Sequence, residues 1–223
     1  MKKSFLLTTI KNSKQRYKKV CFPFIISLLF IKSAFALSFY EGKEYICIDK
    51  PDYSAPNVLE FFSFYCQHCY LFDEVYKMNS RITKLLPNHI KVTKYHVNYL
   101  GPLSKQLTKA WAVAMILGIE DKISPLIFYA VQQTKSIHNQ YDIRELFLKA
   151  GVSAQEYDSA WNSLAVKSLQ KKQENTATNL KLVGVPSFFI NGKYIIKNEG
   201  LDMTSTEVYI TDLSNVIKFL INK

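Results

Sequence analysis

The chain has 223 residues, of which 48% are hydrophobic and 21% charged. That is enough for one packed domain, or one domain carrying an insertion. Its formal net charge is +11, but eight of the 29 Lys and Arg lie in residues 1–36, which hold no acid; 21 basic and 18 acidic residues remain, about +3. The basic excess belongs to the leader, so charge gives no ground for expecting a nucleic-acid partner.

Residues 1–36 read as a secretory signal peptide. A basic segment precedes the apolar run Val20–Ile31, and Ala34-Phe35-Ala36 is an A-x-A site that predicts cleavage after Ala36. The run is about 12 residues, short of the roughly 20 that span a bilayer. The long basic segment and Lys32 are atypical, and an uncleaved anchor is the alternative. Cleavage removes Cys21 and leaves Cys47, Cys66 and Cys69, which suits one reactive pair and one spare thiol better than a disulfide framework. Cys47 lies in a strand-like run and is expected to be a buried, inert thiol.

In chain order, Tyr45–Ile48 predicts a first strand, followed by a turn around Pro51 and Pro56. Asn57–Phe64 predicts a second, buried strand, apolar and aromatic except at Glu60. An unpaired charge in such a strand is costly, which singles Glu60 out. Next comes Cys66-Gln67-His68-Cys69, then a helix to about Leu86, with apolar residues at 71, 72, 75 and 76 on one face and Pro87-Asn88 as its end.

A C-x-x-C between strand and helix places the first sulfur beside the helix N-terminus. Unpaired N–H groups and the dipole there favour a thiolate. The second sulfur, one turn on, can close a small disulfide ring, an arrangement for thiol–disulfide exchange in which Cys66 attacks and Cys69 resolves. Zinc would need about four ligands. There is no second C-x-x-C, and His68, His89, His96 and His138 show no ligand-like spacing, so no metal is expected. A purely structural disulfide needs neither the junction nor the intervening His.

Ile90–Val97 predicts a third strand. From about Leu103 to Leu182 the chain is helical in character. Trp111 and Trp161 read as packing residues. Pro125 is expected to open a helix over Leu126–Thr134, Asp142 to cap Ile143–Ala150, and Ser153-Ala154-Gln155-Glu156 to start a long helix through Trp161 and Leu169. Strands return at Ser187–Ile190 and Lys193–Lys197, joined by Asn191-Gly192, a type I′ hairpin signal. A last amphipathic helix spans about Glu207–Leu220.

This order, with Val58–Phe64, Cys66-x-His68-Cys69-Tyr70, Thr93–Asn98, Ala110–Met115 and Gly184-Val185-Pro186, resembles the DsbA family of periplasmic thiol:disulfide oxidoreductases of Gram-negative bacteria. The resemblance covers essentially all of 39–222. It implies an α/β thioredoxin fold with a helical insertion between its β-α-β and β-β-α halves. The thioredoxin-like domain would comprise 37–99 and 183–223, and the inserted helical domain 100–182.

The resemblance also implies roles. Cys66 and Cys69 form the redox-active disulfide, with Cys66 exposed and nucleophilic and Cys69 buried. His68 stabilises the Cys66 thiolate. Pro186 is a cis-proline facing the disulfide, and Val185 pairs through its backbone with an extended substrate. Glu60 lies beneath Cys69 with Lys94 nearby, and the two affect proton movement; burial raises the Glu60 pKa and Lys94 opposes that. Gly200–Met203 borders the peptide groove. Gln67, also in the substrate-facing turn, stands where the family has proline, a departure that bears on redox poise rather than reaction class.

The implied function is an exported, monomeric oxidase, working in the periplasm without cofactor. It donates the Cys66–Cys69 disulfide to unfolded exported proteins and is re-oxidised by a quinone-linked membrane oxidase resembling DsbB. A disulfide isomerase or reductase, and a peptide-binding chaperone on a thioredoxin scaffold, are the alternatives.

Overall fold

The apolar run at the centre of the sequence is explained by what surrounds it. In the computed structural model, which describes residues 38–87 and 90–223, that run is strand β2 (Val58–Phe62), buried at all five positions. Strand β3 (Thr93–His96) lies parallel to it on one side, with Leu59 opposite Thr93 and Phe62 opposite His96. Strand β4 (Ser187–Ile190) lies antiparallel on the other, with Val58 opposite Ile190. Strands β5 (Tyr194–Ile196) and β1 (Tyr45–Cys47) complete a five-stranded sheet in the order β1-β5-β4-β2-β3. A central strand covered on both faces reads as a continuous apolar run rather than an alternation. The signal-peptide reading and its cleavage site lie outside the described residues.

The expected succession of elements is present, with several local corrections. The active-site helix is not continuous from Cys66 to Leu86. It consists of α1 (Gln67–Tyr70), a π-helical turn over Leu71–Val75, a break at Tyr76 and Lys77, and α2 (Met78–Leu85). Lys77 adopts φ 51°, which ends helical hydrogen bonding before α2 begins. The wider π turn shifts the register of the apolar face. Phe72 is buried, but Val75 and Tyr76 point to solvent.

Between β3 and β4 run α3 (Ser104–Leu117), α4 (Glu120–Phe128), a second π turn (Tyr129–Gln133), α5 (Gln140–Lys149), α6 (Ala154–Asn162) and α7 (Leu164–Asn179). Pro125 lies inside α4 instead of opening a new helix, because Glu120 and Asp121 already form the first turn. Asn139, not Asp142, caps α5. The Asn139 side chain accepts from the N–H groups of Tyr141 and Asp142, and Asp142 answers by accepting from the Asn139 N–H. Ser153 caps α6 as expected, but the long helix through Trp161 and Leu169 is two helices. Ser163, extended at ψ 152°, ends α6 and caps α7 by accepting from the Val166 N–H.

The hairpin between β4 and β5 has positive φ at both Asn191 (53°) and Gly192 (59°), as a type I′ turn requires. Helix α8 (Thr206–Ile221) follows, capped by Ser205.

Cys47 is exposed, against expectation. Strand β1 pairs only with β5, so it is an edge strand, and Tyr45 alone of its three residues is buried.

Three apolar clusters hold the elements. Helices α2 and α8 cover one face of the sheet, with Ile82, Ile210, Leu213 and Ile217 against Val58, Phe188 and Ile190. Leu59, Phe61, Tyr95 and Phe189 pack with Leu180 on the other. Phe62 and Phe64 enter the third cluster with Trp111, Phe128, Ile143 and Phe147 of the helices, and that cluster includes Cys66 and Cys69. The Phe64 ring lies 4.8 Å from that of Phe128, and Phe62 lies 5.0 Å from Trp111. Each such fully buried side chain contributes about 1.5–3 kcal/mol, so the helices hold the end of β2 in place, from which the C-x-x-C turn departs.

Gly101 has φ 91°, and a Cβ there would enter the Tyr65 ring, next to Cys66. Gly118 has φ 65° with open space where a Cβ would stand. Gly118→Ala should therefore cost about 1 kcal/mol for the backbone alone, and Gly101→Ala roughly 2–3 kcal/mol. Urea unfolding of the two variants checks this; equal losses would mean that Tyr65 moves aside freely.

Candidate active site

Strand β2 ends at Phe62, and four residues later the chain turns into α1. Its end is fixed by hydrogen bonds with His96, the last residue of β3, and with Gln132 of the second π turn. The Phe64 N–H donates to His96 Nε2 at 3.1 Å, and the Phe64 carbonyl accepts from Gln132 Nε2 at 2.7 Å. Since Nε2 of His96 accepts, Nδ1 carries the proton and donates to Thr108 Oγ1 at 2.9 Å. The Thr108 hydroxyl in turn donates to the Ser104 carbonyl, also at 2.9 Å. Burial pushes the His96 pKa down to about 3, with Lys94 adding to the effect, so the ring stays neutral. The Cys66 N–H donates to the Ser63 carbonyl at 3.1 Å, completing the turn.

Cys66 is the N-cap of α1, in an extended conformation with φ −85° and ψ 116°. It is buried rather than exposed as expected, because the Val185 carbonyl stands over its sulfur. Its sulfur accepts the Cys69 N–H at 3.2 Å. The Cys66 thiol faces the Val185 carbonyl at 3.4 Å, across the cis Val185–Pro186 bond. A hydrogen bond from the Cys69 thiol lowers the Cys66 pKa most. Burial opposes it, the N–H groups of Cys69 and His68 and the charge of His68 add to it, and the result is about 6. Cys69 is fully buried, and its pKa is driven up, first by burial and then by the same hydrogen bond seen from the donor's side. Gln67 and His68 are exposed on the first turn. The structure thus brings together Cys66, Gln67, His68, Cys69, Val185 and Pro186.

Glu60 and Lys94 face each other across β2 and β3 in register. Glu60 is completely buried. Burial pushes its pKa up to about 8; Lys94 opposes the rise and Asp73 reinforces it. Lys94 makes its ion pair with Asp73, not with Glu60. Its ammonium also lies 4.1 Å from the Phe62 ring centroid. Burial favours its neutral form, but Asp73 and Glu60 outweigh that and raise its pKa. Asn79 bridges the two acids, donating through Nδ2 to Glu60 Oε2 at 2.6 Å and to Asp73 Oδ1 at 2.5 Å. Glu60 adds to the rise of the Cys69 pKa, and Cys66 adds to that of Glu60, so the buried acid and the two thiols act on one another electrostatically.

Asp73, Asn79, Gln132 and His96 were not singled out by the sequence. Asp73 interrupts an apolar helix face, a signal of the kind that marked Glu60, but the π turn that carries it inward is invisible to a 3.6-residue period. Asn79 and Gln132 gave no signal, being polar residues on α2 and on the second π turn.

A fully buried carboxyl, a buried thiol and an N-capping thiol held at a helix start define a thioredoxin-fold thiol:disulfide oxidoreductase. Comparison with known proteins agrees. Residues 57–208 match the family model of the DSBA-like thioredoxin domain. The thiol:disulfide interchange protein DsbA of Pectobacterium carotovorum subsp. carotovorum is 54% identical over 206 residues, 92% of this chain and 99% of that one. The Yersinia pestis DsbA is 49% identical, over 89% and 96% of the two chains. Among solved structures, Proteus mirabilis DsbA with the non-covalently bound peptide PWATCDS is 48% identical, with a TM-score of 0.81, covering 84% of this chain and all of that one. The chain belongs to the DsbA family.

Cys66, with a pKa of about 6, and exposed Cys47, whose pKa burial and then Glu41 raise above 9.0, should separate cleanly. Near neutral pH their thiolate fractions differ roughly a hundredfold, so brief alkylation of reduced protein should modify Cys66 first. Cys47 should follow only in alkaline solution, and Cys69 only on unfolding. Mass mapping reads the order; labelling of Cys47 ahead of Cys66 at neutral pH would contradict the assignment.

The raised Glu60 pKa makes a second prediction. Folded Glu60 holds its proton up to about 8, whereas unfolded it loses it near 4.5. Its contribution to stability is complete below the lower value and is lost as pH rises through the upper one. Glu60→Gln should therefore be more stable than wild type at mildly alkaline pH, by on the order of a few kcal/mol, and the gap should close toward about pH 4.5. Denaturant melts across this range check it.

Proposed function

We propose that this chain is an exported oxidase that donates the Cys66–Cys69 disulfide to the cysteines of newly exported proteins in the periplasm. The observation that carries the reading is the asymmetry of the two thiols: Cys66 is pulled down to about 6 while the Cys69 pKa is pushed up. In the oxidised enzyme a substrate thiolate attacks Cys66 Sγ. The S–S bond breaks, its electron pair goes to Cys69, and a mixed disulfide forms between substrate and Cys66. A second substrate thiolate then attacks the substrate sulfur of that mixed disulfide and expels Cys66 as a thiolate. The substrate has lost two electrons and gained a disulfide, and the enzyme is left as a dithiol. A stable Cys66 thiolate makes it a good leaving group and favours this direction.

Each residue of the site has a part in this reading. Cys69 leaves as a thiolate in a buried position and needs a proton. Glu60 carries one near neutral pH, and Lys94, paired with Asp73, keeps the buried charge balanced. His68 adds positive charge near Cys66. The Val185 carbonyl and Pro186, directly across from the Cys66 sulfur, receive an extended substrate backbone. The peptide-bound relative supports a peptide substrate. Gln67, at the first position of α1, keeps a backbone N–H that proline would lack. Re-oxidation falls to a quinone-linked membrane partner resembling DsbB, and the leader directs export.

The test is the relative stability of the two redox forms. The depressed Cys66 pKa contributes stability to the reduced form that is complete above the unfolded value and is lost as pH falls through about 6. Between about pH 6 and pH 8 the reduced form should gain roughly 2 kcal/mol on the oxidised one and become the more stable. Paired denaturant melts measure this, with Cys66→Ser as the control that should abolish both the pH trend and oxidation of a dithiol peptide. A flat difference, or an oxidised form that stays more stable, would favour a reductase or isomerase.

A further inference from the structure

Among the described residues, the fully buried Glu60 carboxyl has one side-chain hydrogen-bond partner, and it is neither a thiol nor Lys94. That partner is Asn79, the second residue of α2. Its Nδ2 donates to Glu60 Oε2 at 2.6 Å and to Asp73 Oδ1 at 2.5 Å. The other groups around Glu60 are engaged elsewhere. Lys94 on β3, opposite Glu60 in register, gives its ammonium to Asp73. Tyr209 on α8 feels the Glu60 charge but donates its hydroxyl to Asn198 Oδ1 at 2.9 Å. Cys66 and Cys69 interact with Glu60 through charge. On β4 the residue opposite is Phe188, which carries no charge.

A carboxamide suits this place. Asp73, in its ion pair with Lys94, can only accept, so the Asn79 atom that faces both acids is the nitrogen. One amide nitrogen carries two hydrogens, one for each acid, and brings no charge into the layer. Serine would have one hydrogen for two acids, and aspartate would add a third acid to a buried cluster. The Asn79 bond also decides where the Glu60 proton sits. In a neutral carboxyl the carbonyl oxygen is the better acceptor. Oε2 takes the Asn79 bond, so the proton belongs on Oε1. Oε1 is buried and has no partner among the described residues, so no hydrogen bond holds that proton back. Asn79 Oδ1 is likewise unpartnered, and Nδ2 alone ties the amide to the acids.

We propose that Asn79 is a positioning residue of the redox site: its Nδ2, bonded to Glu60 Oε2, keeps the Glu60 proton on Oε1 and stabilises the carboxylate left when that proton departs. The proposal rests on the reading that this proton goes to Cys69. When the disulfide opens, the Oε1–H bond breaks, its electron pair stays on Oε1 and the proton goes to the Cys69 sulfur. When the disulfide re-forms, the proton returns. A hydrogen bond to a carboxylate is stronger than one to the neutral acid, so Asn79 makes the proton easier to release.

The test is the carboxyl C=O band of Glu60 in infrared spectra of the reduced protein, followed against pH, with Glu60→Gln identifying the band. In wild type the neutral carbonyl should absorb at the lowered frequency of a hydrogen-bonded acid and vanish with a midpoint near 8. Asn79→Leu keeps the volume and removes both bonds. There the band should move to higher frequency, and its midpoint should rise by about one pH unit. The Cys66 midpoint should stay near 6 in that variant, because Glu60 is neutral there with or without Asn79. A merely structural role would leave the Glu60 band and midpoint in place. A free-carbonyl frequency in wild type would overturn the proposal, whether or not the variant folds. So would an unmoved or lowered midpoint in Asn79→Leu. A wild-type Cys66 midpoint near 9.0 would instead sink the redox reading and leave the Glu60–Asn79 result standing.

Discussion

The site depends on one meeting, that of Cys69 with the Cys66 sulfur: the Cys69 thiol lowers the Cys66 pKa most, and the Cys69 N–H donates to the same sulfur at 3.2 Å. It exists only because Cys66 stands at the cap of α1 in an extended conformation, with its side chain turned back over the first helical turn. Unpaired N–H groups at a helix start accept negative charge readily. Here the cap residue is itself the nucleophile, so the group that completes the helix is also the one whose thiolate is stabilised. The same geometry separates the two cysteines: Cys66 receives hydrogen bonds, whereas Cys69 donates one from a dry position and keeps its proton.

Such a cap must be held still, and the elements that hold it come from distant parts of the chain. The Phe64 peptide is bonded on one side by His96 and on the other by Gln132. His96 is in turn fixed by Thr108 of α3, and its backbone N–H is taken by Gln173 of α7. The segment between β3 and β4 therefore supplies apolar cover, the Gln132 contact and the groups that fix His96, while His96 itself comes from β3. A buried neutral histidine suits this task, because it both accepts and donates without carrying a charge into the core. Glu60, Asp73, Asn79 and Lys94 hold two acids and one cation in a nearly dry layer, and the proton that Glu60 keeps near neutral pH leaves the layer near neutral.

Much of this was legible in the sequence because the informative residues break local rules. A C-x-x-C between strand and helix, a glutamate in an apolar strand and Asn-Gly between two β-rich runs each require a particular setting, and each was found in it. The corrections arise where the backbone leaves the regular periods. The π turn at Leu71–Val75 carries Asp73 inward and turns Val75 and Tyr76 outward, which no 3.6-residue pattern anticipates. Ser163 divides a segment whose composition is continuously helical. Cys47 looked buried because its strand is apolar, but an edge position is a property of sheet order, not of composition. Asn79 and Gln132 matter through long-range contacts and leave no local trace.

Titration of the Cys66 thiolate tests the central claim most directly. Its ultraviolet absorbance can be followed against pH as the difference between reduced and oxidised protein, with Cys66→Ser identifying the signal. The geometry predicts a single transition with a midpoint near 6 that disappears in the variant. A midpoint near 9.0, the ordinary thiol value, would show that the start of α1 does not stabilise the thiolate and would contradict the account.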